Sequence, residues 1–259
     1  MVKQLGKSIR TNISDFFYFV GYLGKLIISS FIFMFRGKAS RKILIMQLLF
    51  TYVEALPICG VLAVGIGTSV ILLGNTFLAS IGQAKLTYDL LVLIVMRELG
   101  PLLIAFVVTA RSATAIATEL GTMVVGHEIE AYIATGVDPI THLAAPRFLA
   151  VTLSLFFLNI YFSIFGLMLP SIVVQFISTT DIPEYFNSLF KAMTVETILI
   201  SLGKSLIFGM IISGAATLYG FNAGYATTEI PMAGLRAVSK AFVWCIIADA
   251  FITVLSYVF

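Results

Sequence analysis

Charged residues are scarce in this sequence. Aspartate, glutamate, lysine and arginine make up 11% of the 259 residues, whereas hydrophobic residues make up 59%. Because a soluble domain carries roughly 25% charged residues, a chain of this composition lacks the polar surface that keeps a protein in solution. The composition therefore predicts an integral membrane protein. The net charge of +3 is too small to indicate a nucleic-acid partner.

Cysteine and histidine are also rare, with two of each in the chain. Cys59 and Cys245 both fall within apolar runs, where small buried hydrophobic side chains are expected. His127 and Glu128 begin like the helix of a zinc protease, but the position that needs the second histidine is Ala131. We therefore expect no metal site.

A complete phosphate-binding loop is missing as well. The run Gly203-Lys204-Ser205 ends like one, but the glycine that the motif needs five residues before Gly203 is Ile198. The chain is therefore expected to have no nucleotide site, and no cofactor, of its own.

Long apolar runs, by contrast, are present and predict five membrane-spanning helices. Crossing a bilayer takes about 20 apolar residues, and suitable runs lie within 43–73, 90–118 (interrupted at 97–101), 148–177, 197–221 and 241–259. Before them, residues 12–36 carry a polar stripe at spacings of three and four between phenylalanines. This stripe favours an interfacial helix within the N-terminal region 1–40 over a tilted span, which its length would also allow.

The distribution of basic residues predicts the orientation. Eight of the sixteen lysines and arginines precede residue 43, which places the N-terminus in the cytoplasm. Five spans then put the C-terminus outside. On this topology the polar loops 119–147 and 222–240 are cytoplasmic, and 74–89 and 178–196 are external.

The second span contains adjacent charges, Arg97 and Glu98. Charges at bilayer depth cost several kcal/mol unless they are paired or hydrated, so they predict a functional site. We expect Arg97 and Glu98 to belong to this site. The alternative is that Arg97 and Glu98 only pin the second helix.

Charges also occur in the last two spans, at Lys204 and Asp249. We expect Asp249 to pair with Lys204 or with Arg97.

Residues 130–136 predict a short amphipathic helix in the first cytoplasmic loop. Gly136 ends it, and Asp138 and Pro139 follow. Its Glu-Ala-x4-Gly spacing is that of the coupling helix in permeases of ATP-binding-cassette (ABC) importers, which docks on a separate ATPase. The predicted coupling residues are Glu128, Glu130, Ala131, Gly136 and Asp138. A loop helix with an exposed acidic face is the alternative.

Several segments together resemble the MlaE/YrbE family, the permease subunits of ABC systems that move lipids with MCE-domain partners in the Gram-negative envelope. They are RELGP at 97–101, ARSATAIATELG at 110–121, EAYIATGVDP at 130–139, APRFLA at 145–150 and FNAGYATT at 221–228. One difference is that the family's Arg-Ala-Gly reads Arg111-Ser112-Ala113 here.

The resemblance implies an all-α integral membrane protein of the MlaE-type ABC permease fold, with an N-terminal interfacial helix and five transmembrane helices in a single domain, 1–259. It further implies a homodimer in the bacterial inner membrane with a periplasmic C-terminus. The implied partners are two cytoplasmic ATPases that bind ATP and magnesium, a periplasmic ring of MCE-domain protein and, in many systems, a STAS-domain protein. The implied function is phospholipid movement between inner and outer membranes, which maintains outer-membrane lipid asymmetry. For a phospholipid held in a cavity at the dimer interface, we expect Arg97 to reach the phosphate, and Glu98 to pair elsewhere or to line the cavity wall. The apolar wall for the lipid tails would come from Leu72, Leu73, Phe77, Leu78 and Ile81.

A second hypothesis is an ion-coupled secondary transporter in which Glu98, Asp249 and Lys204 form the relay. Such transporters commonly contain inverted repeats. Five spans without an internal repeat fit this class poorly.

Overall fold

The computed structural model describes residues 2–35, 37–83, 86–177 and 182–258. Within these ranges the chain forms α-helices and π-helical turns, with no strand. The predicted all-α membrane fold is confirmed.

The helices follow one another closely along the chain. The first two are α1, Val2–Met34, and α2, Gly37–Ser80. The second predicted span consists of α3 (Leu86–Leu91), a π-helical turn (Val92–Glu98), α4 (Leu99–Val108), a second π-helical turn (Thr109–Ala113) and α5 (Thr114–Val125). The rest are α6 (Glu128–Ala134), a third π-helical turn (Ile140–Ala144), α7 (Ala145–Met168), α8 (Pro170–Ile177), α9 (Ile182–Ala192), α10 (Val195–Phe221) and α11 (Glu229–Val258).

Six helical segments of the described chain are long and apolar enough to cross a membrane. They are Phe16–Met34, Leu44–Leu78, Leu86–Val125, Ile140–Val173, Val195–Phe221 and Glu229–Val258. The last five correspond to the predicted spans, and the first lies in α1. Length and composition thus permit α1 to cross as well, and its interfacial position stays a prediction.

The chain divides into two compact units. The first contains residues 1–48, 109–151 and 210–244, and the second contains 49–108, 152–209 and 245–259. Each unit has its own buried side chains and its own cluster of charges.

In the first unit, α1 packs against the beginning of α7. Leu26 is fully buried in a cluster with Ala144 and Phe148. Phe19 lies against Trp244, with 3.8 Å between the ring centroids. Arg147 is buried and donates hydrogen bonds to Glu119 at 2.7 Å and to the Leu143 carbonyl at 2.6 Å, which joins α7 to α5.

In the second unit, glycines allow helices to approach closely. A Cβ at Gly67 would overlap the backbone of Gly166, and one at Gly60 would lie 2.6 Å from the Tyr161 hydroxyl. A Cβ at Gly65, by contrast, would meet no atom of a neighbouring helix within 4 Å in the described part of the chain. The contact between α2 and α7 therefore depends on particular glycines, as is usual where small residues let membrane helices pack.

The structure corrects the predicted loop 74–89. Helix α2 continues through Gly74 to Ser80, so Phe77 and Leu78 belong to its last turns. A Cβ at Gly74 would overlap the Thr87 side chain. Gly74 thus permits a close helix contact and does not end the helix.

The predicted interruption at 97–101 is also corrected. The chain remains helical there because the preceding turn is π-helical, with the Leu99 N–H donating to the Ile94 carbonyl. Pro101 has no N–H to donate and disturbs a regular α-helix. A π-helical turn is one of the known ways to accommodate such a disturbance.

The segments predicted as the loops 119–147 and 222–240 are largely helical. Helix α5 extends to Val125, and α11 already begins at Glu229. These extensions bury small residues such as Gly121, Ala233 and Ala237 while their charged residues lie on other faces. Charge marks the end of an apolar run, but it does not mark the end of an amphipathic helix.

Candidate functional site

The second unit contains a buried ionic cluster centred on Lys204. This side chain is fully buried in α10, and its Nζ lies 2.7 Å from Glu98 Oε2 and 2.9 Å from Asp249 Oδ1. The two carboxylates retain 26% and 18% of their side-chain exposure. Asp249 therefore pairs with Lys204, which is one of the two pairings expected of it, and Glu98 pairs with the same lysine.

Hydroxyl groups of α11 complete this cluster. Lys204 donates to Thr253 Oγ1 at 2.8 Å, and that hydroxyl donates to Glu98 Oε2 at 3.0 Å. Asp249 and Thr253 are four residues apart and so lie on one face of the helix. Because the residues before and after this face are apolar, α11 presents a short polar surface within a membrane-spanning segment.

Arg97 occupies the edge of the cluster. It is 8% exposed, and its Nη2 donates to Ser256 Oγ at 2.7 Å. The guanidinium lies 4.6 Å from the centre of the Tyr257 ring, in cation–π range. Its Nε is 3.5 Å from Glu98 Oε1, yet neither of these atoms has a hydrogen-bond partner.

The formal charges of Arg97, Glu98, Lys204 and Asp249 sum to zero, and a low-dielectric environment favours such a neutral arrangement. Isolated charges there are expensive, and opposite charges repay the desolvation only when they are close and well oriented. Lys204 meets that condition with Glu98 and with the Thr253 hydroxyl. Asp249 Oδ1 lies 2.9 Å from its Nζ but forms no hydrogen bond within the described part of the chain. We therefore expect the cluster to be sensitive to the loss of Lys204.

The predicted apolar wall lies at the end of α2. Leu73, Phe77 and Ile81 are exposed by 57%, 69% and 68%, while Leu72 and Leu78 are half-buried. The contacts described for Arg97 and Glu98 are with each other and with α10 and α11. The structure of the single chain does not bring the wall and the charges together, so their lipid-binding role stays a prediction.

A second group of charges surrounds α6 in the first unit. The helix begins after His127, whose φ of 57° is left-handed, and ends before Gly136, whose φ of 76° favours glycine. The predicted helix and its glycine stop are confirmed, with a shift of two residues. No residue of α6 is buried, and Ile133 is 61% exposed.

Asp138 ends this segment by capping the next helical turn. Its carboxylate accepts hydrogen bonds from the N–H groups of Ile140 and Thr141 and from the Thr141 hydroxyl at 2.6 Å. Partial burial opposes ionisation, but these hydrogen bonds outweigh it and lower the pKa of Asp138. Asp138 therefore fixes the path from α6 into α7, whatever else it contacts.

Glu130 connects α6 to the segment between α10 and α11. Its Oε2 lies 2.8 Å from His127 Nδ1, and its Oε1 accepts a hydrogen bond from the Tyr225 hydroxyl at 3.0 Å. The His127 and Tyr225 rings stack, with centroids 5.3 Å apart. The contacts with His127 and Tyr225 lower the pKa of Glu130, and the contact with Glu130 raises the pKa of Tyr225.

Tyr225 was not among the residues predicted to act with α6. It lies 95 positions from Glu130 in the chain, so no local periodicity joins the two. The available signal was the segment FNAGYATT at 221–228, which contributed to the family resemblance. Glu128, Glu130 and Ala131 are exposed as predicted, and their coupling role stays untested.

Comparison with known proteins places these sites in a family. The family model for Permease MlaE matches residues 44–255. A probable ABC transporter permease protein of Rickettsia typhi is 26% identical over 211 residues, covering 82% of each chain. The intermembrane phospholipid transport system permease protein MlaE of Haemophilus influenzae is 24% identical over 257 residues, covering 99% of this chain and 97% of the relative.

A plant relative matches as well. The chloroplastic protein TRIGALACTOSYLDIACYLGLYCEROL 1 of Arabidopsis thaliana is 27% identical over 214 residues, covering 83% of this chain and 61% of the relative. The match to the family model, over residues 44–255, contains both the ionic cluster and α6. With its multi-pass helical fold and a family match over most of its length, the chain belongs to the MlaE permease family.

Proposed function

We propose that this chain is the permease subunit of an ABC transporter that moves phospholipids between the inner and outer membranes and maintains outer-membrane lipid asymmetry. The observation that carries this proposal is α6, a short helix with no buried residue that connects two long membrane helices. Such a helix has its surface free for a partner. Membership of the MlaE family and the names of the relatives support the same function.

In this proposal α6 is the coupling helix, and two cytoplasmic ATPases bind ATP and magnesium. Glu128, Glu130 and Ala131 would contact the ATPase, while Gly136 and Asp138 keep the helix at a fixed angle to α7. The hydrogen bond from Tyr225 to Glu130 would make the segment after α10 move with α6. Closure of the ATPases would then reach α5, α7, α10 and α11 together.

The lipid would bind in a cavity of the homodimer. Arg97 is the proposed phosphate ligand, because a guanidinium can bind a phosphate through two parallel hydrogen bonds. Glu98 would line the cavity beside it. The tails would contact Leu72, Leu73, Phe77, Leu78 and Ile81, of which the exposed members require an apolar neighbour, either bilayer lipid or substrate.

The remaining assignments complete the transport system. The chain would lie in the bacterial inner membrane with a cytoplasmic N-terminus and a periplasmic C-terminus, as the basic N-terminal region favours. A ring of MCE-domain protein would cover the periplasmic face, and a STAS-domain protein would bind the ATPases. No nucleic acid takes part.

One observation favours a second candidate, an ion-coupled secondary transporter. Glu98, Lys204 and Asp249 are in direct contact, as a proton relay would require. The same contacts are equally those of a structural ion-pair network. Dependence of transport on a proton gradient, without an ATPase, would favour this candidate over the first.

Native mass spectrometry of the detergent-extracted complex tests the main proposal. We expect two copies of this chain, two ATPase subunits and retained phospholipid in one assembly. The purified chain alone should hydrolyse no ATP, and the assembly should. A chain that copurifies with no ATPase, or that hydrolyses ATP by itself, would contradict the proposal.

A further inference from the structure

A cavity of about 770 Å³ lies within the first unit, between α1, α6 and the end of α10. Its apolar lining includes Ile129 and Ile133 of α6 and Phe221 of α10. Lys25 of α1 and Asn222 add polar groups to the same wall. The volume lies within the range of roughly 300–1,000 Å³ that is typical of ligand pockets. The cavity shares no residue with the ionic cluster at Lys204.

With α1 in the interfacial position that the sequence predicts, the cavity lies at a boundary of the membrane. Phe221 is the last residue of the apolar helix Val195–Phe221, and Ile140, which also lines the cavity, is the first of Ile140–Val173. Tyr18 and Tyr22 of α1 line it as well, and aromatic residues of this kind are enriched where hydrocarbon meets headgroups. A ligand at this depth meets both apolar and polar surroundings.

Lys25 supplies a positive charge to this cavity. The side chain is exposed, and within the described part of the chain it forms no ion pair. Asp138 also lines the cavity, but its carboxylate already accepts hydrogen bonds from Ile140 and Thr141. The charge of Lys25 also helps to lower the pKa of Asp138, so the two groups attract each other without forming an ion pair. The ammonium therefore keeps its hydrogen-bonding positions for an anion that enters from the membrane boundary.

We propose that this cavity binds a phospholipid of the leaflet at the α6 end of the spans, with its phosphate at Lys25. The upper part of an acyl chain would lie along Ile133, Ile129 and Phe221. Asn222 and the Tyr18 hydroxyl add hydrogen-bonding groups near the phosphate. The bound lipid would contact α1 and α6 at once and so fix the distance of α6 from the membrane.

Photocrosslinking of the full chain in lipid nanodiscs tests the proposal. The nanodiscs contain phosphatidylglycerol and phosphatidylethanolamine, and the probe is a benzophenone amino acid at Ile133. The matched control carries the probe at Ala134, which is exposed on the same helix but does not line the cavity. Since α6 lies outside the spanning segments, we expect an adduct with the mass of a phospholipid at position 133 and none at 134.

Substitutions of Lys25 then test the role of its charge. Lys25→Ala should lower the adduct yield by roughly threefold or more, as expected for losing a partly solvated ionic contact. Lys25→Arg should restore the yield. Lys42→Ala, which removes another exposed lysine of the same unit that lies outside the cavity, should leave it unchanged. Monodisperse elution of each variant confirms that it has folded.

Four outcomes would overturn the proposal. They are the absence of a lipid adduct at 133, equal adducts at 133 and 134, a yield that Lys25→Ala does not change, and an adduct with protein.

Competition with excess inorganic phosphate provides a further test. If it abolishes the adduct, the site belongs to a soluble anion and not to a lipid. An adduct with phosphatidylglycerol or phosphatidylethanolamine that still forms in excess phosphate supports the proposal, and the mass of the adduct identifies the lipid.

Discussion

The charges around Lys204 and those around Glu130 use similar residue types in opposite surroundings. Lys204 is fully buried and has two carboxylates and a hydroxyl as neighbours. Glu130 is exposed and contacts a histidine and a tyrosine. Burial makes an unpaired charge expensive, whereas water screens an exposed one. The first group should therefore control the stability of the chain, and the second should control what the chain binds.

The largest effect is expected from Lys204→Met. It leaves Glu98 and Asp249 facing each other in an apolar environment, and removing one partner of a buried ion pair costs about 3–5 kcal/mol. Thermal unfolding in detergent should show a lower midpoint. Adding Asp249→Asn should recover part of the loss, because it removes one of the two orphaned charges. Equal stability of the Lys204→Met variant and the original chain would show that the cluster is not an energetic unit.

Arg97→Ala separates a lipid role from a structural one. If Arg97 binds the phosphate, we expect a loss of about 1.5–3 kcal/mol in lipid binding, seen as less lipid in the purified complex. Arg97→Glu should lose more, since it adds a negative charge beside Glu98. Ser256→Ala is the control because it removes an internal hydrogen bond of Arg97 and keeps the guanidinium.

The two variants together decide between the alternatives. A phosphate ligand predicts lipid loss for Arg97→Ala and retained lipid for Ser256→Ala. If both variants keep their lipid while the complex dissociates, Arg97 serves to hold the second span in place and does not bind the lipid.

Glu130→Lys should leave the chain as stable as before and weaken its complex with the ATPase. The helix has no buried residue, so charge reversal disturbs little within the chain. Glu184→Lys reverses an exposed carboxylate on α9 and is the control. ATPase copurification and ATP-driven lipid transport are the measurements. Normal values for both would mean that α6 does not couple through Glu130.

The smallest effect concerns the pH dependence of the contact between Glu130 and Tyr225. Because the pKa of Glu130 is lowered from 4.5, its contribution is complete above that value and is lost as the pH falls through the lowered pKa. The pKa of Tyr225 is raised from 10.0, so its contribution is complete below that value and is lost at higher pH. The chemical shift of the Tyr225 ring should stay constant between these limits.

Tyr225→Phe provides the matched variant for this measurement. The phenylalanine ring at position 225 has no hydroxyl to ionise, so its signal should show no alkaline transition. It also lacks the hydrogen bond to Glu130, so protonation of Glu130 should not change its signal through that contact. A change of the Tyr225 signal between the two limits would contradict the expected pH dependence.

The fold could be predicted from the sequence more completely than the sites. Apolar runs of the right length identified five spans, and Gly136 marked the end of α6, because both depend on local chemistry. The partners of Arg97 on α11, Ser256 and Tyr257, lie about 160 positions away. Only packing brings such residues together, so periodicity had no means of identifying them.

The helix ends were misjudged for a related reason. Arg236 and Lys240 indicated a loop, but they occupy one face of α11 while Ala233 and Ala237 are buried on another. An amphipathic extension beyond a span resembles a polar loop in composition, and only its three- and four-residue spacing distinguishes the two.

The π-helical turn at Val92–Glu98 has a consequence for the angular register of the second span. A π-helical turn accommodates one more residue than an α-helical turn, and each residue of an α-helix turns the chain by about 100°. Side chains before and after the turn are therefore out of phase with the usual three- and four-residue spacing. Deleting one residue of the turn would restore an α-helical turn and the usual spacing, while the side chains beyond it would keep nearly the same direction relative to α3. The extra residue therefore determines which sequence positions of this span face the protein.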